Sequence, residues 1–240
     1  MNAIKTIDRL IPALIALIAG CIMPVNTAYA LPQDGVVAGG NATITQPNST
    51  TMHINQATDK AIINWQGYSI QSNETVKYLM PSSNSISLNR VIGTNPSFIY
   101  GQLSANGRVW VINPNGLLIG QNAKINVGGF LASTLNITDQ NFINGNYQFG
   151  QEAMGYRLSA ITNQGNINAA DGGYVVFISP TINNTATGSI TANNGSVNMA
   201  SGDDVTLTFA DNGLINLVIN KETAKDALGI DNSGAITADG

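Results

Sequence analysis

Few side chains in this sequence are equipped for chemistry. His53 is the only histidine and Cys21 the only cysteine. A Ser/His/Asp relay would have to use His53 as its base, and a metal site built from His and Cys lacks ligands by count. A lone histidine in a polar segment reads as a surface residue. Asp203-Asp204 could suggest a carboxylate pair of the kind found in calcium-dependent polysaccharide lyases, which are β-helices. No Lys or Arg lies near it in the repeats to act as base, so the pair reads as a solvated turn. The glycines follow a repeat and not the strand-loop-helix pattern of a phosphate-binding loop. The expectation is a protein that is not an enzyme, with no catalytic residues, no metal and no cofactor.

One motif has an obvious mechanical use. Asn113-Pro114-Asn115-Gly116 suits a type I turn: Asn at the first position caps with its side chain, Pro presets φ at the second, and Gly is favoured at the fourth. It would end a strand over 108–112 and turn the chain into another over 117–119. Two roles stay open for it, a rigid corner needed for folding and a contact surface for a partner.

The elements around such a corner must be strands. Only 10% of residues are charged, against roughly 25% in ordinary globular proteins, so solvated helix faces are not available. Hydrophobic residues make up 43%, enough for a core, and Asn, Ser, Thr, Gln and Gly supply the polar surface. The net charge of −4 argues against nucleic acid and anionic membranes as partners.

The first thirty residues read as a secretory signal peptide. Lys5 and Arg9 precede the apolar stretch 10–23, and Ala28-Tyr29-Ala30 is a small-x-small cleavage site. The mature chain would begin at Leu31, without cysteine. A competing reading takes Ile18-Ala19-Gly20-Cys21 as a lipoprotein box that would lipidate Cys21.

The second half repeats. Gly165, Gly188 and Gly234 are spaced by 23 and then 46, as are Ile167, Ile190 and Ile236, and Ala169, Ala192 and Ala238. The doubled step implies one diverged or hidden unit between 190 and 236. A second register places a glycine before strand-like runs at Gly107 and Gly129, and at Gly173 and Gly195, each pair 22 apart. Such a period is too short for a βαβ unit or a propeller blade and fits one turn of a solenoid. Ile167 would then lie directly over Ile190, and corner Asn residues would hydrogen-bond along the stack. An antiparallel sandwich is the alternative. At this period residues 31–240 make roughly nine turns. The irregular region 31–100, with Trp65, is assigned to a cap and first turns, and 101–240 to repeat turns. The stretch 220–228, with Lys221-Glu222 and Lys225-Asp226, is the most helix-like and reads as an inserted loop or short helix. The sequence stops inside a repeat at Ala238-Asp239-Gly240, and the solenoid is expected to continue beyond it.

Asn113-Pro114-Asn115-Gly116 followed by Leu117-Leu118-Ile119-Gly120 resembles the signature of filamentous-haemagglutinin-type two-partner secretion proteins. An ordered series of further stretches is similar to the same family: Leu31-Pro32, Ala61-Ile62-Ile63-Asn64-Trp65-Gln66, Leu88-Asn89-Arg90-Val91, Asn95-Pro96-Ser97, Gly101 to Gly107, Val127 to Thr134, and Asn144 to Phe149. Where some members read Asn-Pro-Asn-Leu, this chain reads Asn95-Pro96-Ser97-Phe98. The resemblance implies a right-handed parallel β-helix with an N-terminal cap and small extra-helical β elements. It implies a secretion motif at Asn95, Pro96, Asn113, Pro114, Asn115 and Gly116. It also implies recognition by the periplasmic POTRA domains of an Omp85-type outer-membrane β-barrel transporter. The full-length protein would be secreted or displayed on a Gram-negative cell, acting on host or neighbouring cells as an adhesin or haemagglutinin. Haem acquisition and contact-dependent killing use the same export domain.

Overall fold

A computed structural model describes residues 31–150, 159–210, 215–221 and 228–239. The chain winds as a right-handed parallel β-helix, the hand that parallel crossovers take almost without exception. Successive turns contribute short strands to three sheets, with six, five and seven parallel strands among the described residues. The first sheet stacks Lys60–Trp65, Ile86–Val91, Arg108–Ile112, Gly129–Ser133, Tyr174–Ile178 and Ser196–Ala200, all parallel. The second stacks Ser97–Ile99, Leu117–Ile119, Ala160–Asn163, Thr181–Asn184 and Gly229–Asn232. The third runs from Thr51–Gln56 to Ala235–Ala238. Two antiparallel strands, Val36–Gly39 on Lys60–Trp65 and Ala42–Asn48 on Thr51–Gln56, close the N-terminal end. Parallel stacking is under way by residue 51, inside the stretch 31–100 assigned to the cap and first turns.

Stacking makes like residues meet. Met52, Val76, Leu103, Ile125, Ile167, Ile190 and Ile236 form one continuous aliphatic column in the third sheet. Ile167 and Ile190 are direct partners, which excludes the sandwich. Asn163, Asn184 and Asn232 form the expected ladder, with side-chain amides donating to the next Oδ1 at 2.8 and 2.7 Å.

Three expectations are corrected. First, Ile190 pairs directly with Ile236, so no hidden repeat lies between them. The 46-residue step is a single turn with an excursion, Asp204–Phe209 and Ile215–Lys221, which leaves the coil as antiparallel strands. A similar excursion with the helix Asp139–Asn144 and the strand Tyr147–Gly150 lengthens the turn before Asn166. The third sheet therefore holds seven parallel levels among the described residues, not about nine turns. Second, the glycine stacked on Gly107 is Gly128, not Gly129. Gly128 N–H donates to the Gly107 carbonyl at 2.7 Å, and Gly129 pairs with Arg108. Third, Asn220 and Lys221 lie in a strand, not a helix; Glu222, Lys225 and Asp226 lie outside the described residues, as does signal cleavage at Ala28 and Ala30, and Cys21.

The first sheet is buried on both sides. Val109, Val111, Phe130, Ala132, Val175 and Phe177 point into the coil. Trp110, Ile112, Leu131, Tyr174, Val176 and Ile178 point outward, under the helix and the three-stranded antiparallel sheet formed by the two excursions. This double burial is why these strands read as unbroken apolar runs, while third-sheet strands such as Lys124–Val127 alternate. Three cations fasten the covering layer. Arg90 forms an ion pair with Asp139 at 2.6 Å and donates to the Ile137 carbonyl at 2.6 Å and to Asn136 Oδ1 at 2.9 Å. Lys60 Nζ donates to the carbonyls of Phe142 and Ile143 at the helix C-terminus, where cations are favoured. Arg108 lies over the rings of Tyr174 and Phe209.

The glycine column Gly107, Gly128, Gly173, Gly195 marks one line along which successive turns approach closely. A Cβ on Gly195 would lie 2.1 Å from the Gly173 carbonyl oxygen, whereas one on Gly67 would meet nothing nearer than 4.0 Å. Gly195→Ala is therefore expected to lower the melting temperature by about 5 °C or more. Gly67→Ala should leave it nearly unchanged. Thermal unfolding followed by far-UV circular dichroism checks both.

Candidate functional site: the asparagine corner

The predicted secretion motif folds into one corner between the first and second sheets. The strand Arg108–Ile112 ends, Asn113 to Gly116 turn with Gly116 N–H donating to the Asn113 carbonyl at 3.0 Å, and Leu117–Ile119 begins. Gly116 adopts a φ of +107°, a conformation that suits glycine.

Asn113 organises the corner and is fully buried. Its Nδ2 donates to the Asn95 carbonyl at 3.0 Å and to Ser97 Oγ at 2.9 Å. Its Oδ1 accepts from the Asn115 backbone N–H at 2.9 Å and from Asn115 Nδ2 at 3.0 Å. Asn115 Nδ2 reaches the Gly93 carbonyl at 2.9 Å, and Ser97 N–H donates to the Gly116 carbonyl at 3.0 Å. The two halves of the motif, Asn95-Pro96 and Asn113 to Gly116, are thus brought together as consecutive levels of the same corner. Ser97 serves this arrangement through its hydroxyl. What reaches solvent is the rim: Ile92, Thr94, Asn95, Pro96 and Phe98 are exposed.

Sequence reasoning missed a second polar cluster, inside the coil. Asn89 Oδ1 accepts from Trp65 Nε1 at 3.0 Å and from the Tyr78 hydroxyl at 2.7 Å, and the Tyr78 and Tyr68 hydroxyls lie 2.9 Å apart. Burial pushes both phenols well above their ordinary range and keeps them neutral. The signal was present: Asn89 interrupts the apolar alternation of Ile86–Val91 at an inward position.

The residues considered for catalysis do not assemble. His53 is half-buried in the strand Thr51–Gln56 and pairs with Thr45 and Lys77. Asp203 is buried and not in a solvated turn; burial raises its carboxyl above the usual range, with Lys221 acting in the opposite direction. Asp204 begins the excursion strand and lies opposite Lys221, so a basic residue does stand beside the pair, supplied by the antiparallel partner strand. Asp204 accepts from Asn220 Nδ2 at 3.0 Å and from Gln148 Nε2 at 3.3 Å, as a cross-strand polar group does. No group of three or more His, Cys, Asp or Glu gathers among the described residues.

This arrangement has known counterparts. The chain matches the model of the TPS secretion domain over residues 28–239. It belongs to that family. The TPS secretion domain here is 35% identical over 195 residues to a heme/hemopexin-binding protein of Haemophilus influenzae strain Rd, covering 78% of this chain and 21% of that protein. A second heme/hemopexin-binding protein of that species is 40% identical over 128 residues, covering 52% of this chain and 14% of the relative. The chain therefore spans about a fifth or less of the length of the curated relatives it matches. Among solved structures, the HMW1 secretion domain from Haemophilus influenzae superposes with a TM-score of 0.76 at 35% identity, covering 87% of this chain and 54% of that one. The filamentous hemagglutinin secretion domain shares the fold with a TM-score of 0.56 at 15% identity, covering 85% and 76%. A TPS secretion domain directs export of an exoprotein through the periplasm and a dedicated outer-membrane transporter.

The corner's hydrogen bonds are internal, so their loss is a folding defect. Asn113→Ala removes a fully buried amide together with its bonds to the Asn95 carbonyl, Ser97 Oγ and the Asn115 N–H and is expected to cost about 3 kcal/mol. Asn115→Ala, which keeps all three of those bonds and loses only the Nδ2 bonds to Asn113 Oδ1 and the Gly93 carbonyl, should cost about 1 kcal/mol. Urea unfolding of the isolated domain measures both.

Proposed function

We propose that residues 31–240 are the address and the folding nucleus of a much longer exoprotein. The periplasmic POTRA domains of an Omp85-type barrel take up a stretch of this chain as an added strand. After transfer across the outer membrane of a Gram-negative cell, the coil forms first and the rest of the chain winds onto it. The observation that carries this reading is the match of residues 28–239 to the TPS secretion domain, in a chain that covers 21% or less of its curated relatives. Antiparallel strands cover the start of the coil, and a parallel ladder of this kind lengthens by adding strands at its edge. The low charge of the chain, 10% of residues, supports the uptake step, because sparsely charged period-two segments suit strand addition.

Within this reading the asparagine corner serves folding and not docking. Asn113→Ala combined with Pro114→Ala is expected to reduce secretion and to lower the melting temperature of the isolated domain together. A variant that melts like the wild type yet is not exported would show that the corner touches the transporter. For the uptake step, immobilised POTRA domains are expected to capture urea-treated domain on dilution far better than prefolded domain. Capture of the folded form alone would overturn strand addition.

For the full-length protein, the names of the two relatives favour a haem- or haem-carrier-binding exoprotein over an adhesin or haemagglutinin. Binding of the secreted full-length protein to haem-loaded hemopexin, compared with attachment to host or neighbouring cells, separates the two.

A further inference from the structure

We propose that Leu31 is the N-terminal residue of the exported chain and that its α-ammonium is the counter-ion of the buried Glu74 carboxylate. This goes beyond recognition by the transporter and uses only the cleavage position expected after Ala30.

Three observations converge on it. Glu74 is only 3% exposed, and a buried carboxylate needs a compensating positive charge. The one ion pair within 4 Å among the described residues is Arg90 with Asp139, so no side-chain cation serves Glu74. Its Oε2 accepts instead from the Leu31 nitrogen at 2.8 Å and from the Gln71 backbone N–H at 2.7 Å. Next, the Leu31 side chain is itself buried, in the same apolar cluster as Trp65 and Tyr68, so the nitrogen is held at the end of an anchored residue. Finally, Leu31 has a φ of +56°. At positive φ a residue with a β-carbon is strained against the carbonyl that precedes it.

Hydrolysis of the Ala30–Leu31 peptide bond resolves both problems. Water supplies the hydroxyl to the departing Ala30 carboxyl and a hydrogen to the Leu31 nitrogen, and protonation at neutral pH makes that nitrogen an ammonium. The preceding carbonyl is gone, and with it the strain. The neutral amide donor becomes a cation 2.8 Å from Glu74, a charge-assisted bond roughly twice as strong. Removal of the leader by a signal peptidase thereby tightens the end of the coil, and a chain with its leader attached lacks this clasp.

The test uses residues 31–240 released from a fusion so that Leu31 carries a free amine, beside the same protein with Leu31 acetylated. The intact mass of the exported wild-type protein is read in parallel. The exported chain is expected to begin at Leu31, and the free-amine form to melt about 5 °C or more above the acetylated form. Glu74→Gln keeps an acceptor oxygen and should abolish most of that gap. Equal melting of the free and acetylated wild-type forms overturns the proposal even if Glu74→Gln does not fold. So does an exported chain beginning elsewhere, including at a lipidated Cys21, and so does a gap that survives in Glu74→Gln.

Discussion

Every turn of this coil must return to within one strand spacing of where the previous turn passed. That constraint, about 4.8 Å between hydrogen-bonded strands, selects the residues. Where backbones approach closely only glycine fits, as along the column Gly107, Gly128, Gly173 and Gly195. Where side chains stack inside the coil, similar shapes recur, as in the aliphatic column from Met52 to Ile236. Where a polar side chain must be buried at a corner, the same amide satisfies its neighbour above, as Asn163, Asn184 and Asn232 do. Ionic groups are poorly suited to such columns, because like charges would stack on themselves, and the composition reflects it.

The same constraint explains the division of labour among the polar clusters. Asn113 ties two successive levels of one corner and spends all its capacity there. Asn89 does the equivalent inside the coil, joining Trp65, Tyr78 and the Trp110 carbonyl, which lie on different levels. Both are neutral hydrogen-bonding groups with fixed geometry, well matched to holding register, since a slip by one residue would strand every partner.

What the sequence made legible was whatever repeats. The stacking of Ile167 on Ile190, the asparagine ladder and the turn at Asn113 all follow from local pattern and backbone preference. The extra-helical β elements were implied by the family resemblance alone; their place was not legible from the repeat, because an inserted antiparallel strand such as Asp204–Phe209 carries no periodic mark and its partner Tyr147–Gly150 is distant in sequence. The doubled glycine spacing recorded the inserted length without saying that it left the coil. The double burial of the first sheet was written in the unbroken runs at 109–112 and 174–178, but identifying what covers them required the fold. The one-residue error at Gly129 arose because Gly128 and Gly129 are adjacent; only the backbone pairing says that the first spaces the turns and the second makes room for the Tyr174 ring.

The covering layer sets a timetable. The coil itself winds by steps of some 22 residues, each closing a short loop as soon as its strand is available. The layer over Trp110, Leu131 and Val176 cannot assemble until Asp204–Phe209 arrives to bridge Tyr147–Gly150 and Ile215–Lys221, and contacts of that sequence separation form late. A chain delivered N-terminus first would therefore pass through an interval in which the spiral exists with one oily flank bare. The tryptophan on that flank is then a built-in reporter: its fluorescence marks not the winding of the spiral but the moment its outer wall is sealed.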